Sequence, residues 1–228
     1  MKKITKIGEI SWIVGNILCA LGNCLASKSN FGVASIVAPA FALSDATGLK
    51  VGYCEYIIQG ILLLLCCLII GKFKGQFIAT ICNILFYGAC FNIVDSLLSS
   101  VHPHGMFARI IVAAVGTLIT SFAVALMLRT YIPPSAYEIF VREIAVAKGI
   151  NMSTMKLVFD TSLLALAIVM MLALLGKWDL GIIGALTLIS AFLNSVLIGF
   201  FGKIIDKYCE FSPAIPKLYN LLNPKTDK

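Results

Sequence analysis

Two polar pairs interrupt otherwise apolar stretches of the chain, and both have the spacing of about one helical turn. Glu55 and Gln59 form the first pair, and Lys156 and Asp160 form the second. Residues four positions apart lie on the same face of a helix, so each pair presents its polar groups together. Ionisable side chains inside apolar helices are costly and commonly serve function. Glu55, Gln59 and Asp160 are therefore predicted substrate-binding residues.

A denser group of charges, Glu138, Arg142 and Glu143, lies in a short segment before the second pair. Glu138 and Arg142 are spaced to pair with each other on one face of a helix. An arginine can hold an anionic group with two parallel hydrogen bonds, and a carboxylate can orient it. This predicts Glu138 and Arg142 as further substrate-binding residues. The alternative interpretation is the solvated face of an amphipathic helix.

Polar residues also lie near the ends of two apolar stretches. Asn92 and Asp95 close the third stretch, and Asn194 holds the corresponding place in the last. These three residues are predicted to coordinate a coupling ion or relay a proton. The alternative is that they form hydrogen bonds between helices, worth around 1 kcal/mol each. Asn16 and Asn23, seven residues apart in the first stretch, are expected to serve helix packing.

The chain also repeats itself. Residues 14–66 align without a gap with residues 115–167, at an offset of 101, so that the first polar pair faces the second. With four extra residues in the second copy, Gly71 matches Gly176 as well. Internal repeats in an apolar chain are typical of secondary transporters built from two similar halves.

Composition places the chain outside the ordinary soluble class. It is 60% hydrophobic and 13% charged, and its mean hydropathy is +0.97. Six stretches are long enough to cross a hydrocarbon core of roughly 30 Å as helices. They lie at about 9–27, 55–70, 77–98, 108–129, 156–175 and 180–202. The first stretch has no signal-peptide cleavage site, so we expect it to be retained.

The placement of the formal net charge of +7 argues against nucleic acid as a partner. Basic residues cluster before the first stretch, between the second and third, between the fourth and fifth, and after the last. This is the positive-inside pattern if both termini lie in the cytoplasm of a bacterium and the chain spans its inner membrane. Three spans in each half then make the two repeats inverted. An eight-span alternative, in which 33–47 and 134–147 also cross, would put several charges inside the bilayer.

Two short segments, about 33–47 and 134–148, complete the predicted architecture. Both follow a polar break and are followed by a glycine, Gly48 or Gly149, and Gly149 suits the C-terminal cap of a helix. They are predicted to be re-entrant or interfacial half-helices, whose N-terminal ends attract anions. The predicted fold class is an all-α transmembrane bundle of six spans and two half-helices in two inverted repeats. The predicted division is residues 1–101, residues 102–205 and a cytoplasmic tail, 206–228.

Several short motifs resemble those of YczE/YitT-type bacterial integral membrane proteins. They are GNILCALG at 15–22, GVAS at 32–35, TGLKVG at 47–52 and EYIIQ at 55–59, within a resemblance that covers roughly residues 10–205. The resemblance implies a bacterial inner-membrane protein, with transport as one expected function and no settled substrate. Residues 36–38 depart from it, because family members often carry a polar start to the first short helix there.

Together these observations predict a secondary transporter of a small anionic or amphipathic solute that works by alternating access. No enzymatic activity is expected, because the chain has no Walker A, HExxH or GxSxG motif. No cofactor or metal is expected, and the eight cysteines have no CxxC spacing. The expected partners are membrane lipids and the small-molecule substrate, and a homodimer is left open. Two alternatives are the binding subunit of an importer that borrows ATPases and a scaffold that binds lipid or protein.

Overall fold

A computed structural model describes residues 7–216, 219 and 222, apart from the side chains at 153, 191, 192 and 195. The described residues form eight α-helices. They are α1 (Gly8–Lys28), α2 (Ala38–Thr47), α3 (Val51–Ile70), α4 (Gly75–Leu97), α5 (Gly105–Met127), α6 (Ala136–Lys148), α7 (Met152–Met170) and α8 (Ala185–Tyr208). A π-helical turn, Met171–Leu175, continues α7. The predicted fold class, an all-helical membrane bundle, is confirmed.

Among the described residues, five helices are long and apolar enough to cross a membrane. They are α1, α3, α4, α5 and the stretch Thr154–Leu175 of α7, so the chain is a multi-pass membrane protein. The sixth predicted span corresponds to α8, which has 24 residues but is only partly described, and its crossing stays a prediction. The basic segment 1–6 and residues 217, 218, 220, 221 and 223–228 of the predicted tail lie outside the described residues.

The two predicted half-helices are α2 and α6. They have 10 and 13 residues and are therefore about 15 and 20 Å long, too short to cross a bilayer. Gly48 and Gly149 end them with φ of 72° and 65°, the left-handed conformation that glycine adopts without strain. Both helices begin later than predicted. Ser135 caps α6 by accepting a hydrogen bond from the backbone N–H of Glu138, so α6 starts at Ala136.

The helices α1 and α5 form the most extensive helix–helix contact, and they run antiparallel. Gly15 of α1 lies against Met127 of α5, whereas Gly22 lies against Thr120 and Gly116. A Cβ atom at Gly22 would lie 2.7 Å from the carbonyl oxygen of Gly116, so the close approach of the backbones requires glycine there. Since α1 and α5 hold the same place in the two sequence copies, their opposite directions fit inverted repeats.

The helices are described here as two groups that do not follow the sequence halves. One, here the frame group, consists of α1, α4, α5 and α8, joined by α1–α4, α1–α5 and α5–α8 contacts. The other, here the interlocked group, consists of α2, α3, α6 and α7. In it each half-helix packs on a long helix of the other half, α6 on α3 and α2 on α7. Contacts of α3 with α4, and fewer of α6 with α4, join the two groups.

Two ion pairs hold the frame group at opposite ends. The Lys28 Nζ atom lies 2.9 Å from Asp95 Oδ1, which joins the ends of α1 and α4. The Arg129 Nε atom lies 2.5 Å from Asp206 Oδ1, which joins α8 to the residue just after α5. Lys28 and Arg129 are equivalent in the sequence repeat, and α1 is antiparallel to α5. The two ion pairs are therefore counterparts at the two ends of the bundle.

Replacing Gly22 with alanine should disturb the contact between α1 and α5. The new methyl group would lie 2.6 Å from the Thr120 backbone nitrogen and 2.7 Å from the Gly116 oxygen. Overpacking of this kind typically costs about 1–3 kcal/mol. Thermal unfolding of the purified protein in detergent should therefore show a clearly lower midpoint.

The matched control is Gly60→Ala on α3, where a Cβ atom would meet nothing within 4 Å. Alanine favours helix over glycine, so this variant should be as stable as the parent or slightly more so. Equal midpoints for the two variants would show that the α1–α5 contact tolerates a wider separation.

Candidate functional site

A cavity of about 120 Å³ lies between the frame group and the interlocked group. Side chains from both sequence halves line it. The frame group contributes Asn16, Asn23, Asn83, Tyr87, Thr120 and Asn194, and the interlocked group contributes Gln59, Tyr137, Glu138, Lys156 and Asp160. The residues just before α2, at 34–37, and those around the start of α6, at 134–138, also line the cavity. The N-terminal ends of both half-helices thus meet at one site.

The first predicted pair lies in a buried network. Glu55 and Gln59 are 0% and 1% exposed, and the Gln59 Nε2 atom donates to Glu55 Oε2 over 2.8 Å. The Tyr137 hydroxyl donates to the same carboxylate oxygen, and Gln59 Oε1 accepts from the Ala136 N–H. The network ties α3 to the first turn of α6. Gln59 lines the cavity, whereas Glu55 is not among the lining residues.

The second predicted pair forms a chain of three charges with Glu138. The Lys156 Nζ atom lies 3.3 Å from Glu138 Oε1 and 3.6 Å from Asp160 Oδ2. All three residues line the cavity. Glu138 therefore pairs with a residue of α7. The pairing with Arg142 that its spacing had predicted is not observed. The three side chains bring two formal negative charges and one positive charge to the site.

Arg142 lies apart from the cavity, among charged and polar residues where α4 meets α6. Its guanidinium donates to Gln76 Oε1 and, over 3.3 Å, to Glu143 Oε1. Lys74 also pairs with Glu143. Arg142 follows Glu138 by about one helical turn, so it lies within α6, one turn further from the N-terminal end that faces the cavity. The structure does not bring Arg142 together with the other predicted substrate-binding residues.

The three residues predicted to bind a coupling ion occupy different places. Asn92 Oδ1 accepts from the Gly52 N–H over 3.0 Å, at the start of α3. Asp95 forms one of the two ion pairs of the frame group. Neither residue lines the cavity. Asn194 does, and its Oδ1 atom accepts from the Ser121 hydroxyl over 3.1 Å.

Several lining residues were assigned to packing or overlooked on sequence grounds. Asn16 and Asn23, expected to serve packing, both line the cavity, and the Asn23 amide donates to the Tyr87 hydroxyl over 3.0 Å. The Asn83 side-chain amide donates to the carbonyl oxygen of Pro134 over 2.6 Å. This hydrogen bond attaches α4 to the non-helical segment that precedes α6. The seven-residue spacing of two amides on one face of an apolar helix was the available signal. Asn83 and Tyr87 carried a similar signal on α4.

Unpartnered polar atoms concentrate at this cavity. Among the described residues, five buried side-chain atoms have no hydrogen-bond partner: Asn16 Oδ1, Glu55 Oε1, Asn83 Oδ1, Thr120 Oγ1 and Asp160 Oδ1. All but Glu55 belong to residues that line the cavity. Buried polar groups are normally paired, and exceptions in native proteins call for an explanation such as a functional role. The cavity is therefore the candidate functional site.

Replacing Gln59 with leucine should destabilise the α3–α6 contact. The change removes the hydrogen bond to Glu55 and leaves the Ala136 N–H without its side-chain acceptor. Each buried polar group left unpaired costs about 1–3 kcal/mol. Tyr137→Phe removes a single hydrogen bond to Glu55 and should cost less, about 1 kcal/mol. Unfolding midpoints in detergent should fall in the order parent, Tyr137→Phe, Gln59→Leu, and a reversed order would contradict the network.

Comparison with known proteins identifies a family. No curated protein and no solved structure matches the chain. A family model matches residues 7–203, a range that includes every residue named above as lining the cavity. That match covers most of the chain, and the chain therefore belongs to DUF6198, a family of unknown function.

Proposed function

We propose that the protein is a secondary transporter that moves a small solute across the membrane by alternating access. The observation that carries the proposal is the cavity between two helix groups, which polar and charged side chains from both sequence halves help to line and at which the N-terminal ends of both half-helices meet. Transporters with inverted repeats bind their substrates at such a place, where discontinuous helices end near the bilayer midplane. The volume of about 120 Å³ suits a solute of few heavy atoms.

The moving bodies in this proposal are the frame group and the interlocked group. Sequence alone favoured a rocking of one half against the other. That motion would break the α3–α6 and α2–α7 contacts, which cross between the halves. A movement of the interlocked group against the frame group keeps both contacts and also keeps the two terminal ion pairs, while the α3–α4 and α4–α6 contacts rearrange. It would open the cavity first to one side of the membrane and then to the other.

The proposal also includes the membrane in which the protein lies and the molecules with which it interacts. The distribution of basic residues supports a bacterial inner membrane with both termini in the cytoplasm, and the resemblance to YczE/YitT-type proteins agrees with it. We infer that the chain acts on its solute without chemical conversion and that lipids are its other partners. The importer subunit and the scaffold remain the competing functions, and neither requires the cavity to open on both sides.

Alternating access can be tested at Cys19 without knowing the substrate. Cys19 lines the cavity from α1, whereas Cys24, one turn further along the same helix, is 0% exposed and not among the lining residues. Two variants should each retain one of these cysteines and carry alanine at the other seven cysteine positions. A membrane-impermeant methanethiosulfonate reagent is then applied to right-side-out and to inside-out vesicles.

The expected result is that the Cys19 variant reacts in both vesicle orientations and the Cys24 variant in neither. Labelling of Cys19 in only one of the two vesicle orientations would contradict alternating access and favour a binding subunit. Absence of Cys19 labelling from either side would favour a scaffold. Reaction of Cys24 at the rate of Cys19 would show that the replacements had loosened the helix bundle.

A further inference from the structure

We propose that the cavity binds a small organic cation through N–H donors on its charged group, such as a primary ammonium, and does not bind an anion. This inference rests on the proposed transport function and deepens it by naming the class of solute. It reverses the anionic preference that the sequence had indicated. Three observations carry it: the orientation of two buried amides, the charge of the lining residues, and the occupied N–H groups of the half-helices.

The two buried amides offer acceptors. The Asn16 Nδ2 atom donates to the Trp12 carbonyl oxygen over 2.9 Å, and the Asn83 Nδ2 atom donates to the Pro134 carbonyl oxygen over 2.6 Å. A carbonyl oxygen can only accept, so these contacts fix which end of each amide is the nitrogen. The atoms without a partner are therefore the Oδ1 atoms, which are acceptors.

Two further unpartnered atoms have the same preference. Asp160 Oδ2 faces Lys156, whereas Asp160 Oδ1 has no partner and can only accept as part of a carboxylate. The Thr120 hydroxyl can accept as well as donate. These four atoms belong to α1, α4, α5 and α7 and so come from different sides of the cavity. Neighbouring side chains enclose all four atoms, so a solute that brings several N–H groups bonds to them after side-chain movements in the cavity wall.

The charges that line the cavity favour a cation. They are Glu138, Lys156 and Asp160, with a formal sum of one negative charge. Lys156 lies between the two carboxylates and is partnered by both. An ammonium group near Asp160 would gain a charge-assisted hydrogen bond, which is stronger than a neutral one. An anion at the same place would meet the excess of negative charge.

Four N–H groups at the N-terminal ends of the half-helices are already hydrogen-bonded. In α6 the N–H groups of Ala136 and Glu138 already donate to side-chain oxygens. Before α2 the N–H groups of Val37 and Ala38 both donate to the carbonyl oxygen of Ala34. An anion bound at either end would have to displace these hydrogen bonds. These four donors are thus in use, whereas the unpartnered oxygens at the cavity are acceptors.

The test measures thermal unfolding of the purified full-length protein with chloride salts of methylammonium, ethylammonium, tetramethylammonium and sodium, and with sodium acetate and phosphate, all at equal ionic strength. A ligand that binds the folded state raises the unfolding midpoint in a concentration-dependent way. We expect the primary ammonium ions to raise it. Tetramethylammonium, which has the charge but no N–H group, should give no saturable rise, and neither should sodium or acetate; phosphate should give only the unsaturable rise that comes from its exclusion from protein surfaces.

Variants then locate the site. Asp160→Asn should weaken binding of the primary ammonium ions by about ten- to a hundredfold, because it removes the charged acceptor and keeps the shape of the side chain. Asp206→Asn, at the Arg129 ion pair away from the cavity, should bind them as the parent does. The inference would be overturned by saturable stabilisation by acetate, phosphate, sodium or tetramethylammonium, or by the absence of stabilisation by either primary ammonium ion. Unchanged binding in Asp160→Asn would also overturn it.

These outcomes are independent of transport. If primary ammonium ions bind but Cys19 is labelled from one side only, the site stands and the proposed transport fails. If Cys19 is labelled from both sides while anions bind, transport stands and the inference on the solute fails.

Discussion

Close contact between the backbones of α1 and α5 is the constraint on which the rest of the bundle depends. Within a bilayer, lipid tails are as apolar as helix surfaces, so helices associate through packing and hydrogen bonds and not through the hydrophobic effect. Gly22 and Gly116 permit this packing, since a Cβ atom at Gly116 would lie 2.7 Å from the Gly22 carbonyl oxygen. The antiparallel pair positions α4 on one side and α8 on the other, and so forms the frame against which the interlocked group packs.

Backbone that leaves the helices inside this bundle must be satisfied by protein groups, because lipid offers none. Around α6 the chain meets that requirement with side chains of other helices. Asn83 donates to the carbonyl oxygen of Pro134, and Gln59 accepts from the N–H of Ala136. Asn83 and Gln59, which line the cavity, thus have a structural role as well. The cavity lies where α2 and α6 begin, and some of its polar side chains are there because the backbone at the start of α6 needs partners.

The sequence predicted those features that depend on local chemistry. Gly48 and Gly149 marked the ends of the half-helices because left-handed conformations favour glycine, and the repeat marked helices with the same role. Pairings between helices were not predictable in this way. Glu138 had Arg142 at the right spacing on its own helix, yet its partner is Lys156 on α7. Which of two eligible partners a charge meets depends on how α6 and α7 pack, and spacing along one helix carries no information on that.

The two halves have the same order of helices but differ in what their residues do at equivalent positions. On α3, Glu55 and Gln59 bond to each other and to the start of α6, so most of their polar groups are used in holding that half-helix. On α7, the equivalent pair reaches Glu138 and leaves Asp160 Oδ1 without a partner. A repeated order of helices thus accompanies an asymmetric cavity, in which the α3 pair holds a half-helix and the α7 pair has an unpartnered carboxylate oxygen. This asymmetry is why the unused binding capacity of the interlocked group lies on α7, the helix that carries a carboxylate where α3 carries an amide.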